Sequence, residues 1–319
     1  MSGVALRAWA PLLVTLGLLG GCAAPAEPAA TKSAAESRSP SPQQQSRPSS
    51  AEARGPREVS GVQLLLETRS DYSHIRLRQE GSVRTLWFVN DDGREVKETQ
   101  LDLRRPHELL IPYTRAMFVS HLLRAEAPRR CLLVGLGGGA MVHFLARHFP
   151  ETELDAVEID PLVVQIADEW FATRPGPRTR IHTADGFVYL AEAKAAGRRW
   201  DAIYMDAYLK PAEDTDSRGL QLRLKTERFF ADLGGLLAEG GVVVFNILRS
   251  PALAEDVRTI RRVFRYVHLV RGWGGNVIVA ASHSAPPDAL ERERRASALE
   301  ARELGVSFLD LARALRRVD

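Results

Sequence analysis

Cysteine is scarce in this chain: 319 residues contain two, Cys22 and Cys131. Two cysteines exclude a disulfide-stapled scaffold. Long hydrophobic runs are also lacking. The longest, residues 8–21, has 14 residues, short of the roughly 20 that cross a bilayer core of about 30 Å. Neither charge sign dominates: 43 Lys and Arg face 40 Asp and Glu, a net +3, and the two are interleaved. That leaves no basic stripe for a phosphate backbone, so nucleic-acid binding is not expected. The eight histidines show no metal-ligand spacing, since His143 and His148 are five apart and His182 lies elsewhere. No metal is expected. What remains, 45% hydrophobic and 26% charged, has the composition of a packed globule and excludes wholesale disorder.

The short apolar run follows one early positive charge, Arg7, and ends in Leu19-Gly20-Gly21-Cys22. This resembles a secretory signal closed by a bacterial lipobox, in which small residues admit the peptidase and the thiol takes the lipid. The segment after it, to about residue 58, is rich in Ala, Pro, Ser and Gln. It carries too little apolar surface to offset its chain entropy. The expectation is a signal peptide over 1–22 with lipidation at Cys22, then a disordered tether over 23–58. The protein would then be anchored in the bacterial cell envelope, facing the periplasm. If the signal is misread, it is cytoplasmic.

Four short strand-like runs follow, at 62–67, 74–78, 85–89 and 96–101, with turns at Gly81 and at Asp91-Asp92-Gly93. They predict a small antiparallel β-domain over 59–113. A helix is expected over 114–124. The rhythm then becomes strand, turn, helix: strands at 131–134, 154–157, 180–183, 202–205, 242–247, 268–271 and 277–280, with helices at 140–148 and 161–172. Apolar strands alternating with helices predict an α/β domain over 114–285, its largely parallel sheet covered on both faces. Residues 286–319 carry seven acidic and seven basic side chains and read as a solvated helical appendage. Cys131, in a strand, reads as a small buried hydrophobe.

Gly135-Leu136-Gly137-Gly138-Gly139 follows a strand and opens a helix, so a ligand can lie against the backbone near the helix's positive end. Glu158 closes the next strand, 23 residues after Gly135, where a carboxylate accepts from ribose hydroxyls. Asp185-Gly186 closes the third strand, within reach of an adenine amine, and Asp206 closes the fourth. Ends of parallel strands are where such sheets bind ligands. Three carboxylates there favour an adenosyl sulfonium over a dinucleotide, whose pyrophosphate they would repel.

The stretches 131–140, 157–161, 184–187 and 201–208 together resemble the spermidine synthase (polyamine aminopropyltransferase) family. Gln100, Ile111-Pro112-Tyr113-Thr114-Arg115-Ala116-Met117, and residues 224–230 and 240–246 extend the resemblance over about 62–283. It implies a class I methyltransferase-like Rossmann sheet beside the β-domain, usually as a homodimer. It also implies that Gln100 and Glu158 hold the ribose, Gly135, Gly137, Gly139 and Gly186 shape the nucleoside site, and Asp185 holds the adenine. Asp206 would be the catalytic carboxylate. Tyr113 and Tyr208 would wall a channel for a small amine. The implied donor is decarboxylated S-adenosylmethionine, leaving as methylthioadenosine.

Three positions depart from the family pattern. Gly138 stands where the synthases carry an aspartate that grips the donor's amino end. Leu209 replaces a second aspartate after the catalytic one. Tyr113-Thr114-Arg115 replaces a Tyr-His-Glu, which would put a cation in place of an anion; Glu213, Asp214 and Asp216 could restore negative charge. Two other readings therefore stay open. One is an S-adenosylmethionine-dependent methyltransferase, with Gly138 leaving space for the donor's carboxylate. The other is a non-catalytic envelope lipoprotein that binds a nucleoside or a polyamine.

Overall fold

The computed structural model describes residues 58–59, 61–208, 221–273 and 275–318. The expected signal peptide, Cys22 and nearly all of the tether lie outside the described residues, as do Leu209, Glu213, Asp214 and Asp216.

Five strands form an antiparallel meander in sequence order: β1 (Glu58–Val59), β2 (Val62–Arg69), β3 (His74–Glu80), β4 (Val83–Val89) and β5 (Glu95–Asp102). One feature of the last pair decides the site. Leu86 pairs with Thr99 and Trp87 with Lys97, so Glu98 is an extra residue in β5. A bulge of this kind bends the strand and re-aims the side chain it carries.

The chain then makes α1 (Pro112–Met117) and α2 (Ser120–Leu123), where one helix was expected. The alternating part follows: β6 (Arg130–Val134), α3 (Ala140–His148), β7 (Glu153–Glu158), α4 (Pro161–Phe171), β8 (Thr179–Thr183), α5 (Gly186–Ala195) and β9 (Trp200–Met205). After a short 3-10 turn at Leu222–Lys225 come α6 (Glu227–Gly234), β10 (Leu237–Leu248), α7 (Leu253–Val263), β11 (Tyr266–Trp273) and β12 (Asn276–Ser282). The C-terminal part holds α8 (Ala289–Glu300), α9 (Phe308–Ala314) and β13 (Arg316–Arg317).

The large sheet has the order β13-β11-β12-β10-β9-β6-β7-β8. Pairing is parallel from β8 to β10, and β12, β11 and β13 add antiparallel strands at one edge. This is the expected Rossmann-like sheet of the methyltransferase type. Its central strands are buried on both faces, hence Leu132, Leu133, Ile203 and Val243 in unbroken apolar runs. Cys131 is fully buried among them.

Apolar packing and hydrogen bonds hold the halves in register. Ile75, Leu77, Leu86 and Leu101 of the meander pack against Val163, Ile166 and Phe171 of α4. That lays β5 over the glycine turn, where the Gly138 N–H donates to Thr99 Oγ1 at 2.7 Å. The C-terminal part is not the solvated appendage expected. Phe308 and Leu311 are 0% exposed, and with Ala296, Leu304 and Val306 they join the main core. The even charge count reflects the outer face of α8 and conceals the inner one.

Candidate active site

The strand ends meet the meander around a cleft. Its floor is the glycine turn, with Gly135, Leu136 and Gly137 in the lining. Gly135 has φ +97°, and a Cβ there would stand 2.1 Å from the Asp206 carbonyl oxygen. A side chain at 135 would thus displace the strand end that carries Asp206. Gly139 ends the turn at the start of α3 and abuts Thr173. It shapes the turn without lining the cleft.

Glu158 stands at the end of β7. Its Oε2 accepts from the Leu136 N–H at 2.9 Å and its Oε1 from the Asp160 N–H at 3.1 Å. These bonds aim the carboxylate along the turn. Burial raises its pKa, and the two amides counter part of that rise. Asp185 caps α5, Oδ1 accepting from the Phe187 N–H at 2.7 Å, while Oδ2 takes Arg223 at 3.0 Å. The Arg223 guanidinium lies 3.7 Å over the Phe187 ring. Gly186, Phe187, Ile159, Leu190 and Leu224 give that end of the cleft apolar walls, suited to a flat heteroaromatic base.

Asp206 occupies the other end. Tyr113 Oη donates to Oδ2 at 3.0 Å and Asn246 Nδ2 to Oδ1 at 2.7 Å. Asn276 Nδ2 in turn donates to Asn246 Oδ1 at 2.6 Å and fixes the orientation of that amide. Burial raises the Asp206 pKa, against the pull of these two donors. The Tyr113 hydroxyl is pushed well above its ordinary value by burial and by Asp206, so it stays a donor. Tyr208 lines the cleft, and its hydroxyl donates to the Asn246 carbonyl at 2.5 Å. Of the two tyrosines expected to wall a channel, Tyr208 lines the cleft, and Tyr113 reaches Asp206 without being in the lining. Asn246, absent from the expected site, sits in β10, where nothing in an apolar strand flagged it.

Three sequence expectations need correction. Gln100 does not line the cleft: its amide donates to Thr85 Oγ1 at 3.2 Å and accepts from Lys97 at 3.3 Å. Strict alternation puts positions 98 and 100 on one face, and the bulge separates them, turning Glu98 into the cleft instead. Burial and the charges of Asp206 and Glu158 push the Glu98 carboxyl up to about 8. At Gly138 the space that a side chain would take is already filled. A Cβ there would meet Thr99 Cγ2 at 2.7 Å and the Phe171 ring at 3.0 Å. Nor does Arg115 bring a cation to the cleft, because its Nε donates to the Leu109 carbonyl at 2.7 Å and it is not in the lining.

Among the described residues no group of three or more His, Cys, Asp or Glu is arranged to hold a metal ion. Among the described residues the lining carries Glu98, Glu158, Asp160, Asp185 and Asp206, and no Lys, Arg or His. Such a cleft takes a cation with an apolar, hydrogen-bonding body.

Comparison with known proteins agrees. Residues 111–269 match the spermine/spermidine synthase domain. A polyamine aminopropyltransferase of Vibrio vulnificus is 30% identical over 239 residues, covering 74% of this chain and 77% of that protein. The chain belongs to the spermine/spermidine synthase family. A probable spermidine synthase of Corynebacterium glutamicum shares the fold, with a TM-score of 0.59 at 21% identity over 79% of this chain and 90% of that one. The human methyltransferase-like protein 13, solved in complex with SAH, has a TM-score of 0.53 at 26% identity, over 65% of this chain and 95% of that one.

Proposed function

We propose that this member of the family transfers an aminopropyl group from decarboxylated S-adenosylmethionine to a small amine, with methylthioadenosine as the leaving product. The observation that carries this reading is that the charged residues of the described lining are all carboxylates, with Asp206 held by Tyr113 and Asn246 at the end opposite the apolar base pocket. In this reading Glu158 accepts from the ribose, and the walls around Phe187 hold the adenine. Amines of this class have pKa values near 10 and are mostly protonated at neutral pH. Asp206 orients the ammonium and receives its proton. The freed amine attacks the carbon beside the sulfonium; a C–N bond forms, and the C–S electron pair returns to sulfur. The product amine carries the positive charge that the sulfonium has lost.

Incubation with the decarboxylated donor and a diamine, following methylthioadenosine by chromatography, tests this reading. Asp206→Asn should reduce turnover by about 10²- to 10⁴-fold and leave methylthioadenosine binding intact. Undiminished turnover would remove Asp206 from the reaction.

Methyl transfer from S-adenosylmethionine is the second reading, favoured by the likeness to the human methyltransferase-like protein 13. It predicts methyl transfer and release of S-adenosylhomocysteine.

For the cellular address we propose the lipid anchor at Cys22, supported by the order of signal, cysteine and tether in the sequence. An envelope protein would meet a cytosolic donor only if the donor is scavenged. Cys22→Ser should release the protein from the membrane fraction. Wild-type protein that is already soluble and uncleaved overturns the anchor. A homodimer, usual for the family, is checked by light scattering.

A further inference from the structure

Five carboxylates line the cleft among the described residues, and four have donors of their own. Glu158 takes two backbone amides. Asp160 takes the Ser70 and Ser73 hydroxyls, each at 2.6 Å. Asp185 takes a backbone amide and Arg223, and Asp206 takes Tyr113 and Asn246. Glu98 has no hydrogen-bond partner among the described residues. It faces Asp206 and Glu158, whose charges act on it, and the bulge in β5 points it into the cleft.

The neighbouring residue explains why this carboxylate is needed here. Thr99 Oγ1 holds the Gly138 N–H, and its methyl group fills the space a side chain at 138 would use. The glycine turn is thereby plugged and neutral. The same bulge that plugs it delivers a carboxylate from across the cleft. Beside two other carboxylates the charged form of Glu98 is unfavourable until a cation arrives.

We infer that Glu98 is the donor-selecting residue of this site, the counter-charge for the ammonium end of a donor that has lost its carboxylate. The inference rests on the aminopropyl-transfer reading and names the group that sets its donor. A donor that keeps its carboxylate would bring an anion towards Glu98 and Asp206. The decarboxylated donor brings an ammonium there. Neutral methylthioadenosine makes no such contact and is indifferent to Glu98.

Calorimetry on the full chain with methylthioadenosine, S-adenosylmethionine and decarboxylated S-adenosylmethionine tests the assignment, in wild type, Glu98→Gln and Glu98→Asp. Glu98→Gln should weaken the decarboxylated donor by about 10- to 100-fold, as loss of a charge-assisted contact does. Methylthioadenosine should stay within about threefold on the same reasoning, since it carries no charge. Glu98→Asp keeps the charge and should lie between. Thermal melting of each variant shows that it is folded. Should wild type favour the decarboxylated donor and Glu98→Gln keep that preference in full, the Glu98 assignment is overturned and the functional reading survives. Should wild type favour S-adenosylmethionine, the functional reading fails whatever the variants do. Uniform weakening of all three ligands also overturns the assignment, because it makes Glu98 a structural residue.

Discussion

Glu98 makes pH a direct probe of the cleft. The half-buried carboxyls of Asp206 and Glu158 face it, and Tyr113 lies against Asp206. With its pKa near 8, Glu98 holds its proton at neutral pH while the cleft is empty, and a dicationic donor must displace that proton. Affinity for this donor should rise as pH increases towards 8 and then level off, and Glu98→Gln should flatten the rise. Stability should run the other way. The folded protein keeps a proton between the ordinary carboxylate range and pH 8 that the unfolded chain has lost, so folding stability falls across that window as pH rises. Denaturant titrations of wild type and Glu98→Gln at several pH values check the slope, which should be shallower in the variant. Gly138→Asp is a second test at this scale. The contacts with Thr99 and Phe171 should make it destabilising by about 1–3 kcal/mol. Thr99→Ser in the same chain should recover part of that loss by removing the methyl group, with non-additivity as the readout.

Elements differ in how openly they show themselves in the sequence. The strands that carry Glu158 and Asp206 were legible because buried parallel strands are short apolar runs, and the acidic residue ending each run stands out. The glycine turn was legible for the same reason, since little else places four glycines between a strand and a helix. The bulge in β5 was not. Residues 96–101 alternate well enough to suggest a regular strand, and the extra residue depends on cross-strand pairing with Trp87 and Leu86, which one strand's sequence does not contain. Gln100 was therefore expected in the cleft, and Glu98 lines it instead. Asn246 was hidden likewise, as one amide within a run of Val, Phe and Ile. The C-terminal helices misled through charge. Phe308 and Leu311 are few among many charged neighbours, yet both are fully buried. Phe308→Ala should cost about 3–5 kcal/mol, as read by the midpoint of chemical denaturation. A change below about 1 kcal/mol would restore the picture of a detachable appendage.

At the scale of the whole molecule, the meander and the Rossmann-like sheet each supply part of one site. The sheet offers the apolar walls around Phe187, Glu158 and Asp206. The meander adds Glu98 and the plug at Gly138, and α4 packs against it to keep β5 over the turn. Charge is distributed to match. The molecule as a whole is nearly neutral at +3, while the charged residues of the described lining are all acidic. A cationic nucleoside and a cationic amine therefore find a local well without a long-range field that would attract nucleic acid. The most direct test gives the protein equal amounts of S-adenosylmethionine and the decarboxylated donor with a diamine, and identifies the nucleoside released. Methylthioadenosine appearing in step with the aminopropylated amine, and disappearing in Asp206→Asn, is the predicted result. Release of S-adenosylhomocysteine with a methylated product would contradict it.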